Sequence, residues 1–485
     1  MNAYDYFFEL TRDLEKKFLV GKEEISFKDL YHTSTSLAKY LKNSIGENKN
    51  ILLISLNNRF FLIVYLAIIK SGNICIPLDT LIEENSFNYI KDLTEPALLF
   101  LTSEIEKRLP EHKIRCILPD DLPELIQPVD DKRDSDFNPE RCAEIIFTSG
   151  STGMPKGVMI SHKNLIANTT SILEYLKLNQ NDRMLVVLPF YYCYGLSLLH
   201  THLRIGGSIV FNNSFMFLGA IINNFLDYKC TGFAGVPSHF QILLRKSESF
   251  KKTKFPALRY VTQAGGKLAT VFIDEFRESF PDVKFYVMYG QTEATARLSY
   301  LPPELYNKKK GSMGRGIPGV ELKVVNEKGE KVKPGEIGEV IARGDNIMMR
   351  YFADDEGTKN AIKNGWLYTG DLGTVDNDDY IYLTARKKEI IKVGGKRISP
   401  KEIEAVILEI PEVVDCSIEG VDDELLGEAL KATIVINNKN SEALNIELIK
   451  KRCSEHLALY KVPQVFEFKE NLTISASGKK VKKNL

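Results

Sequence analysis

Short apolar runs rich in β-branched residues recur along the first three-fifths of the chain: NILLISL, RCILPD, CAEIIFTS, RMLVVLP, GSIVFN, CTGFAGV and VKFYVMYG. Each has the length of a strand buried on both faces, and longer amphipathic stretches such as residues 36–41 and 268–276 lie between them. Strands of that kind need helices over both faces, so the pattern predicts α/β layering over a mostly parallel sheet. The most apolar long segment, FFLIVYLAIIKSGNICIPLD at residues 60–79, is interrupted by Lys70, Gly72 and Asn73. That is too soon for a span of about 20 apolar residues, and a buried helix, a turn and a short strand fit it better.

Beyond Gly311 the texture changes. PGVELKVVNEKGEKVKPGEIGEVIARGDNIM alternates apolar and polar residues between Asn, Gly and Lys turns, which predicts hairpins in a smaller β-rich subdomain. The C-terminal part reads as a separate small α/β domain. Ser399, Pro400 and Glu402 stand in the order of an N-cap, a first-turn proline and a capping-box glutamate. Ile403, Val406, Ile407 and Ile410 follow on one helical face, and Pro411 stops the helix. VVDCSIEGV and ALKATIVI are expected as strands, then a helix over residues 446–457. The ending NLTISASGKKVKKNL is polar and basic, which by composition alone describes a frayed tail.

The 64 Lys and Arg balance the 64 Asp and Glu in 485 residues, so no global field draws the protein to nucleic acid or to an anionic membrane. Seven cysteines are scattered with no CxxC spacing, which argues against a disulfide framework or a closed zinc site and favours a reducing compartment. The N-terminus has early acidic residues and no signal-peptide pattern, so a cytoplasmic location is expected.

One stretch stands out chemically: IIFTSGSTGMPKGVMISHKNL, residues 145–165. A Walker A loop needs Gly, four residues, then Gly-Lys-Ser/Thr, and Gly150, Gly153, Lys156 and Gly157 do not meet that spacing. The ingredients still suit a polyphosphate. Glycines let the backbone turn and expose N–H groups, Thr148, Ser149, Ser151 and Thr152 add hydroxyls, and Lys156 is a mobile cation.

The segment TSGSTGMPKG is similar to the signature loop of the adenylate-forming superfamily, which comprises acyl-CoA synthetases, peptide-synthetase adenylation domains and luciferases. Further blocks resembling that family follow in order: AGGKL at Ala264, YGQTEAT at Tyr289, GWLYTGD at Gly365, ARKKEIIKVGGKRI at Ala385 and SGKKVKK at Ser477. The resemblance, closest to fatty-acid and aromatic-acid CoA ligases, covers nearly the whole chain. It implies a large multi-subdomain N-terminal domain of layered sheets and helices, residues 1–385, with a small mobile C-terminal α/β domain, residues 386–485, hinged at 386–388. The implied activity uses ATP and Mg²⁺ to convert a carboxylic acid to an acyl-adenylate, releasing pyrophosphate. The acyl group then passes to the thiol of coenzyme A, or alternatively to the phosphopantetheine of an acyl carrier protein. A non-catalytic nucleotide-binding regulator is the reading from another class.

By the same resemblance Thr148, Ser149, Gly150, Ser151, Thr152, Gly153 and Lys156 enclose the β- and γ-phosphates. Gly265 and Gly266 border the nucleotide, Tyr289 stacks on adenine, Thr292 donates to the α-phosphate, and Glu293 holds Mg²⁺, a hard cation suited to oxygen. Asp371 accepts both ribose hydroxyls and Arg386 contacts the ribose or phosphate side. Lys388 occupies the hinge position. Lys479 matches the catalytic lysine of the adenylation step, while Lys392, Gly394 and Gly395 serve the thiol-transfer face. The tail departs from the family in lacking a proline before SGK.

The block LPFYYCYG places Tyr192 at a gate position and Tyr191 where amino-acid-activating relatives carry an aspartate. An ammonium would have no anionic partner there, so an apolar or aromatic acid is expected. The expected pocket wall comprises Tyr191, Tyr194, Phe233, Gly235, Val236, His239, Gly265 and Gly266, and His162 is expected to support the phosphate loop.

Overall fold

The computed structural model describes residues 1–127, 136–148, 154–423, 427–437, 444–470 and 472. Among them the helix Arg59–Lys70 is buried from Phe60 through Ile69 and turns at Ser71 and Gly72 into the strand Ile74–Leu78, the sequence of elements expected for residues 60–79. No described helix is long and apolar enough to cross a membrane.

Two large sheets organise the first half of the chain. One runs Arg350–Tyr351, Lys156–Ser161, Cys142–Thr148, Ile74–Leu78, Asn50–Ile54, Leu98–Leu101 and Cys116–Ile117. The other has nine strands, and its centre is the parallel series Lys284–Tyr289, Tyr260–Gln263, Gly232–Gly235, Arg183–Val186 and Ser208–Phe211. Helices such as Phe27–Ile45, His162–Leu176 and Cys193–Ile205 bury their apolar faces against these strands in one extended core. All seven β-branched runs are strands, mostly parallel, because each lies between helices that shield its backbone.

A five-stranded sheet follows, with Val320–Val325, Gly338–Gly344 and Trp366–Val375 antiparallel in sequence, Ile362–Lys363 at one edge and Ile381–Arg386 also on Trp366–Val375. The C-terminal part packs helices Pro400–Leu408 and Ile446–His456 against the sheet Val413–Asp423, Gly427–Ile436, Val465–Lys469.

The expected capping box at Ser399 is not formed. Ser399 donates its hydroxyl to the Thr384 carbonyl (2.7 Å), and Glu402 accepts from Lys461 (2.7 Å), so both side chains tie neighbouring elements together instead of closing the helix end. Arg245, at the end of helix Pro237–Arg245, reaches into the C-terminal part. Its Nη1 donates to the carbonyls of Leu408 (3.0 Å), Ile410 (2.9 Å) and Val413, while Glu275 neutralises the charge at 2.6 Å.

The strand that leads to the glycine-rich loop carries a buried carboxylate. Tyr65 donates to Glu144 (2.7 Å) and also lies 2.7 Å from His200 Nε2, with Phe7 stacked on the imidazole. Burial holds His200 down to about 3, so the ring is neutral. Burial also pushes the Glu144 carboxyl up to about 7, against the opposing pull of the Tyr65 hydrogen bond. His162 accepts from the Ala3 N–H (3.1 Å) and packs at a near-right angle to the Phe137 ring, anchoring the N-terminal helix.

A carboxyl whose folded pKa is raised contributes stability that is full below its unfolded value and is lost as pH rises through the folded value. Glu144 therefore makes stability fall between about pH 4.3, the unfolded reference, and about 7. The Glu144→Gln variant is expected to lose that slope, with urea denaturation midpoints across pH 4 to 8 as the measurement.

Candidate active site

Parallel strands end on one edge of their sheet, and in open α/β sheets ligands bind in the crevice outside those carboxyl ends. In the nine-stranded sheet this edge receives four segments: residues 189–195 after Arg183–Val186, residues 236–239 after Gly232–Gly235, residues 264–266 after Tyr260–Gln263, and residues 290–293 after Lys284–Tyr289.

The last of these is fastened at both ends. Tyr289 donates its phenol proton to Asp371 Oδ2 (2.6 Å), and Arg386 Nε donates to the other oxygen of the same carboxylate (2.9 Å). Asp371 is buried on Trp366–Val375 directly opposite Arg386, so strand register brings the pair together. Burial, then the Asp371 charge, push the Tyr289 phenol well above its ordinary value and keep it a donor. A carboxylate has about four lone-pair positions, so Asp371 retains acceptor capacity beyond these two bonds. Four residues on, Glu293 accepts from the Tyr351 phenol (2.8 Å), and its backbone carbonyl accepts from the Met348 N–H (2.9 Å). Gly290 is required between them, because a Cβ there would sit 1.9 Å from the Ala296 carbonyl oxygen.

Tyr351 links this segment to the phosphate-loop hairpin. Arg350–Tyr351 pairs with Lys156–Ser161, which in turn pairs with Cys142–Thr148, placing Thr148 opposite Lys156. The Lys156 ammonium lies 4.9 Å from the Tyr351 ring centroid and 2.6 Å from Asp354 Oδ2. Glu293, Tyr351, Lys156 and Asp354 thus form one chain of contacts. Ser149, Gly150, Ser151, Thr152, Gly153 and Lys479 lie outside the described residues.

Thr292 is buried, with its hydroxyl 3.5 Å from Cys193 Sγ at the start of helix Cys193–Ile205. Gly265 takes a φ of 81°, and Gln263 Nε2 donates to the Gly266 carbonyl (2.7 Å), fixing that turn at the end of its strand. No described hydrogen bond or ion pair joins Lys392, Gly394 or Gly395 to this group. The two glycines form the turn between Ile391–Val393 and Lys396–Ile398 at φ of 52° and 77°, and the Lys392 N–H donates to Glu428 (2.8 Å).

The expected acyl wall is partly redrawn. Tyr194 is buried, its phenol 2.9 Å from both the carbonyl and the hydroxyl oxygens of Thr262. His239 packs against Phe215 with ring centroids 4.2 Å apart and tilted by 32°, and burial holds it neutral, down to about 3. Phe233 instead packs against Phe225 and Phe240 in the second core, because alternation along its strand turns it away from the first.

Among the described residues no three His, Cys, Asp or Glu side chains gather as a closed metal site. Glu293, separated from the phosphate-loop Lys156 by Tyr351, suits Mg²⁺, which keeps waters and takes one or two carboxylates plus substrate phosphates. Tyr351 and Asp354 carry no motif in the sequence. Asp354 is legible only as the N-cap of Asp355–Ala361, where it accepts from the Gly357 N–H (2.7 Å), and its pairing with a lysine almost two hundred positions earlier is purely tertiary.

A loop lysine, an acidic residue after a Tyr-Gly pair and a carboxylate on a separate sheet, joined through Tyr351 and Tyr289, suit the binding of a nucleotide. The AMP-binding enzyme model matches residues 9–352 and the AMP-binding enzyme C-terminal domain model residues 402–479, and the chain belongs to this family. It is 31% identical over 438 residues to an oxalate–CoA ligase of Arabidopsis thaliana, covering 86% of this chain and 84% of that one. It is 29% identical over 481 residues to a 2-succinylbenzoate–CoA ligase of Bacillus licheniformis, covering 98% and 97%. The o-succinylbenzoate CoA synthetase of Bacillus subtilis in complex with its acyl-adenylate intermediate superposes with a TM-score of 0.87 at 26% identity, covering 99% of this chain and 96% of that one.

The Lys156 hydrogen bond, then the Gly357 N–H, hold the Asp354 carboxyl below its usual range. A depressed carboxyl contributes stability that is present above its unfolded value, about 3.9, and is lost as pH falls through the folded value. Both side chains are about one-third exposed, which limits the pair to roughly 1 kcal/mol. Asp354→Asn is expected to be slightly less stable at pH 7 and to show a shallower loss below pH 4, read by urea denaturation at a series of pH values.

Proposed function

We propose that this protein is an AMP-forming acid–thiol ligase that joins a small carboxylic acid to coenzyme A in two steps. The observation that carries this reading is the segment 289–293, fastened to Asp371 at one end and, through Tyr351, to Lys156 at the other. Four residues of chain span at most about 14 Å, so the groups fall within the reach of one nucleotide.

In the first step a carboxylate oxygen of the acid attacks the α-phosphorus of ATP, and the bond to pyrophosphate breaks. Lys156 and the loop that includes Thr148, Ser149, Gly150, Ser151, Thr152 and Gly153 bind the departing phosphates, Lys156 exchanging Asp354 for a phosphate oxygen. Thr292 donates to the α-phosphate, and Gly265 and Gly266 keep backbone close to the nucleotide. Tyr289 orients Asp371 while flanking adenine, and Asp371 accepts from the ribose hydroxyls beside Arg386. Glu293 would hold Mg²⁺, which when bound offsets phosphate charge. Lys479 is the cation that meets the oxygen charge developing at phosphorus, brought by the C-terminal domain, residues 386–485, turning about 386–388 on the body at 1–385.

In the second step the CoA thiol sulfur attacks the acyl carbonyl carbon and AMP leaves. Gly394 and Gly395, in an exposed tight turn without side chains, allow close approach of a pantetheine arm, with Lys392 beside it. The acyl wall of Tyr191, Tyr194 and His239 favours an apolar or aromatic body for the acid. None of the seven cysteines forms a disulfide, which fits a cytoplasmic, reducing setting.

Pyrophosphate release over a panel of carboxylic acids, with and without CoA, tests the assignment. Acid-dependent release that rises with CoA is expected, and its absence with every acid would refute the ligase reading. Lys479→Ala is expected to lower adenylate formation by roughly 100-fold or more while largely sparing thiol transfer from supplied acyl-adenylate; equal loss in both steps would remove that lysine from the first.

A further inference from the structure

Arg297, four residues beyond Glu293, is 2% exposed. Its Nη1 and Nη2 reach the Ala296 carbonyl and the Ser197 hydroxyl, both at the long distance of 3.4 Å, the Tyr175 phenol is a further uncharged hydrogen-bonding neighbour, and its buried Nε has no hydrogen-bond partner. The guanidinium carbon stands 4.0 Å from the centroid of the Tyr194 ring. Three other buried charges are neutralised: Arg245 by Glu275 at 2.6 Å, Asp182 by Arg259 at 2.5 Å, Asp5 by Lys70 at 2.7 Å. No described carboxylate forms an ion pair with Arg297.

Its position is built. Thr295, two residues before it, has a φ of 64°, a strained value for a β-branched residue, and Asn346 and Asn168 both donate side-chain N–H groups to the Arg297 carbonyl (2.7 and 3.4 Å). The cation is therefore held against Tyr194, and Tyr194 is one residue from Cys193, whose sulfur touches Thr292. Its positive charge reaches the Tyr194 phenol and the Cys193 thiol, lowering the proton affinity of each against the larger effect of burial.

An unpaired buried ion carries a desolvation cost of several kcal/mol, and an incoming anion relieves it. The reacting carboxylate of a substrate cannot fill this role, since it must face the α-phosphorus beside Thr292. We propose that the acid carries a second anionic group, and that Arg297, lying behind Tyr194, selects dicarboxylic acids by pairing with the distal carboxylate. This rests on the ligase reading and revises the expected uncharged tail, leaving an apolar or aromatic middle between two charged ends.

The test is acid-dependent ATP–pyrophosphate exchange with matched pairs: succinate against butyrate, adipate against hexanoate, terephthalate against 4-methylbenzoate. The wild-type protein is expected to prefer the diacid in at least one pair. Arg297→Met and Arg297→Gln should lower the diacid-to-monoacid ratio of kcat/KM in that pair by about 100-fold, with Arg297→Lys retaining part of it. Exchange with the monoacid reports that each variant is folded, and a thermal melt checks it independently. Preference for the monoacid in every pair, or equal loss on both members in the Met and Gln variants, would overturn the proposal while leaving the ligase reading intact. Failure of every acid to support exchange would sink both.

Discussion

Two hydrogen bonds at the ends of a five-residue segment hold three sheets in register: Tyr289 to Asp371 and Tyr351 to Glu293. Tyr289 ends a strand of the nine-stranded sheet, Asp371 lies on the five-stranded one, and Tyr351 stands at the edge of the seven-stranded one. Each bond joins a phenol to a carboxylate, the charge-assisted kind worth roughly 1.5–3 kcal/mol. The short distance matters more than the energy, because it forces the ends of three independent sheets to converge within the span of one nucleotide. Gly290 allows the approach, since any side chain there would strike the Ala296 carbonyl.

Around that segment, charges are kept in pairs that a ligand can exchange. Lys156 rests on Asp354 and Arg386 on Asp371, and in each pair one partner is at least one-third exposed, so water or phosphate can compete. Arg297 is the exception, a buried cation with no ion pair to a described carboxylate. The attachment of the C-terminal part follows another logic. Arg245, at the end of helix Pro237–Arg245, bonds to backbone carbonyls of the C-terminal part, where three acceptors converging on one guanidinium nitrogen fix an orientation without pairing two domain charges. Such bonds are made and broken together, which suits a contact between bodies more than a contact within one.

Much of this was legible in the sequence. The β-branched runs gave strands and the broken apolar segment at 60–79 gave a helix, turn and strand, because burial on both faces leaves a composition that solvent-exposed chain does not have. The blocks at Tyr289, Asp371 and Arg386 proved to be in direct contact, although 82 and 15 positions separate Asp371 from its two partners. Local chemistry misled where a side chain had a competing distant partner. Ser399 has the right residue type for a cap but bonds to Thr384, and Phe233 joins the separate cluster of Phe225 and Phe240.

The sequence by itself determined the order of layers, the glycine positions and the residue types that suit phosphate, because periodicity, backbone freedom and donor chemistry are properties of short stretches. Tertiary structure alone decided which charges meet. The pairing of Lys156 with Asp354, the phenol of Tyr351 on Glu293 and the isolation of Arg297 depend on strand register and on distances of a few ångströms between segments far apart in the chain, which no local pattern encodes.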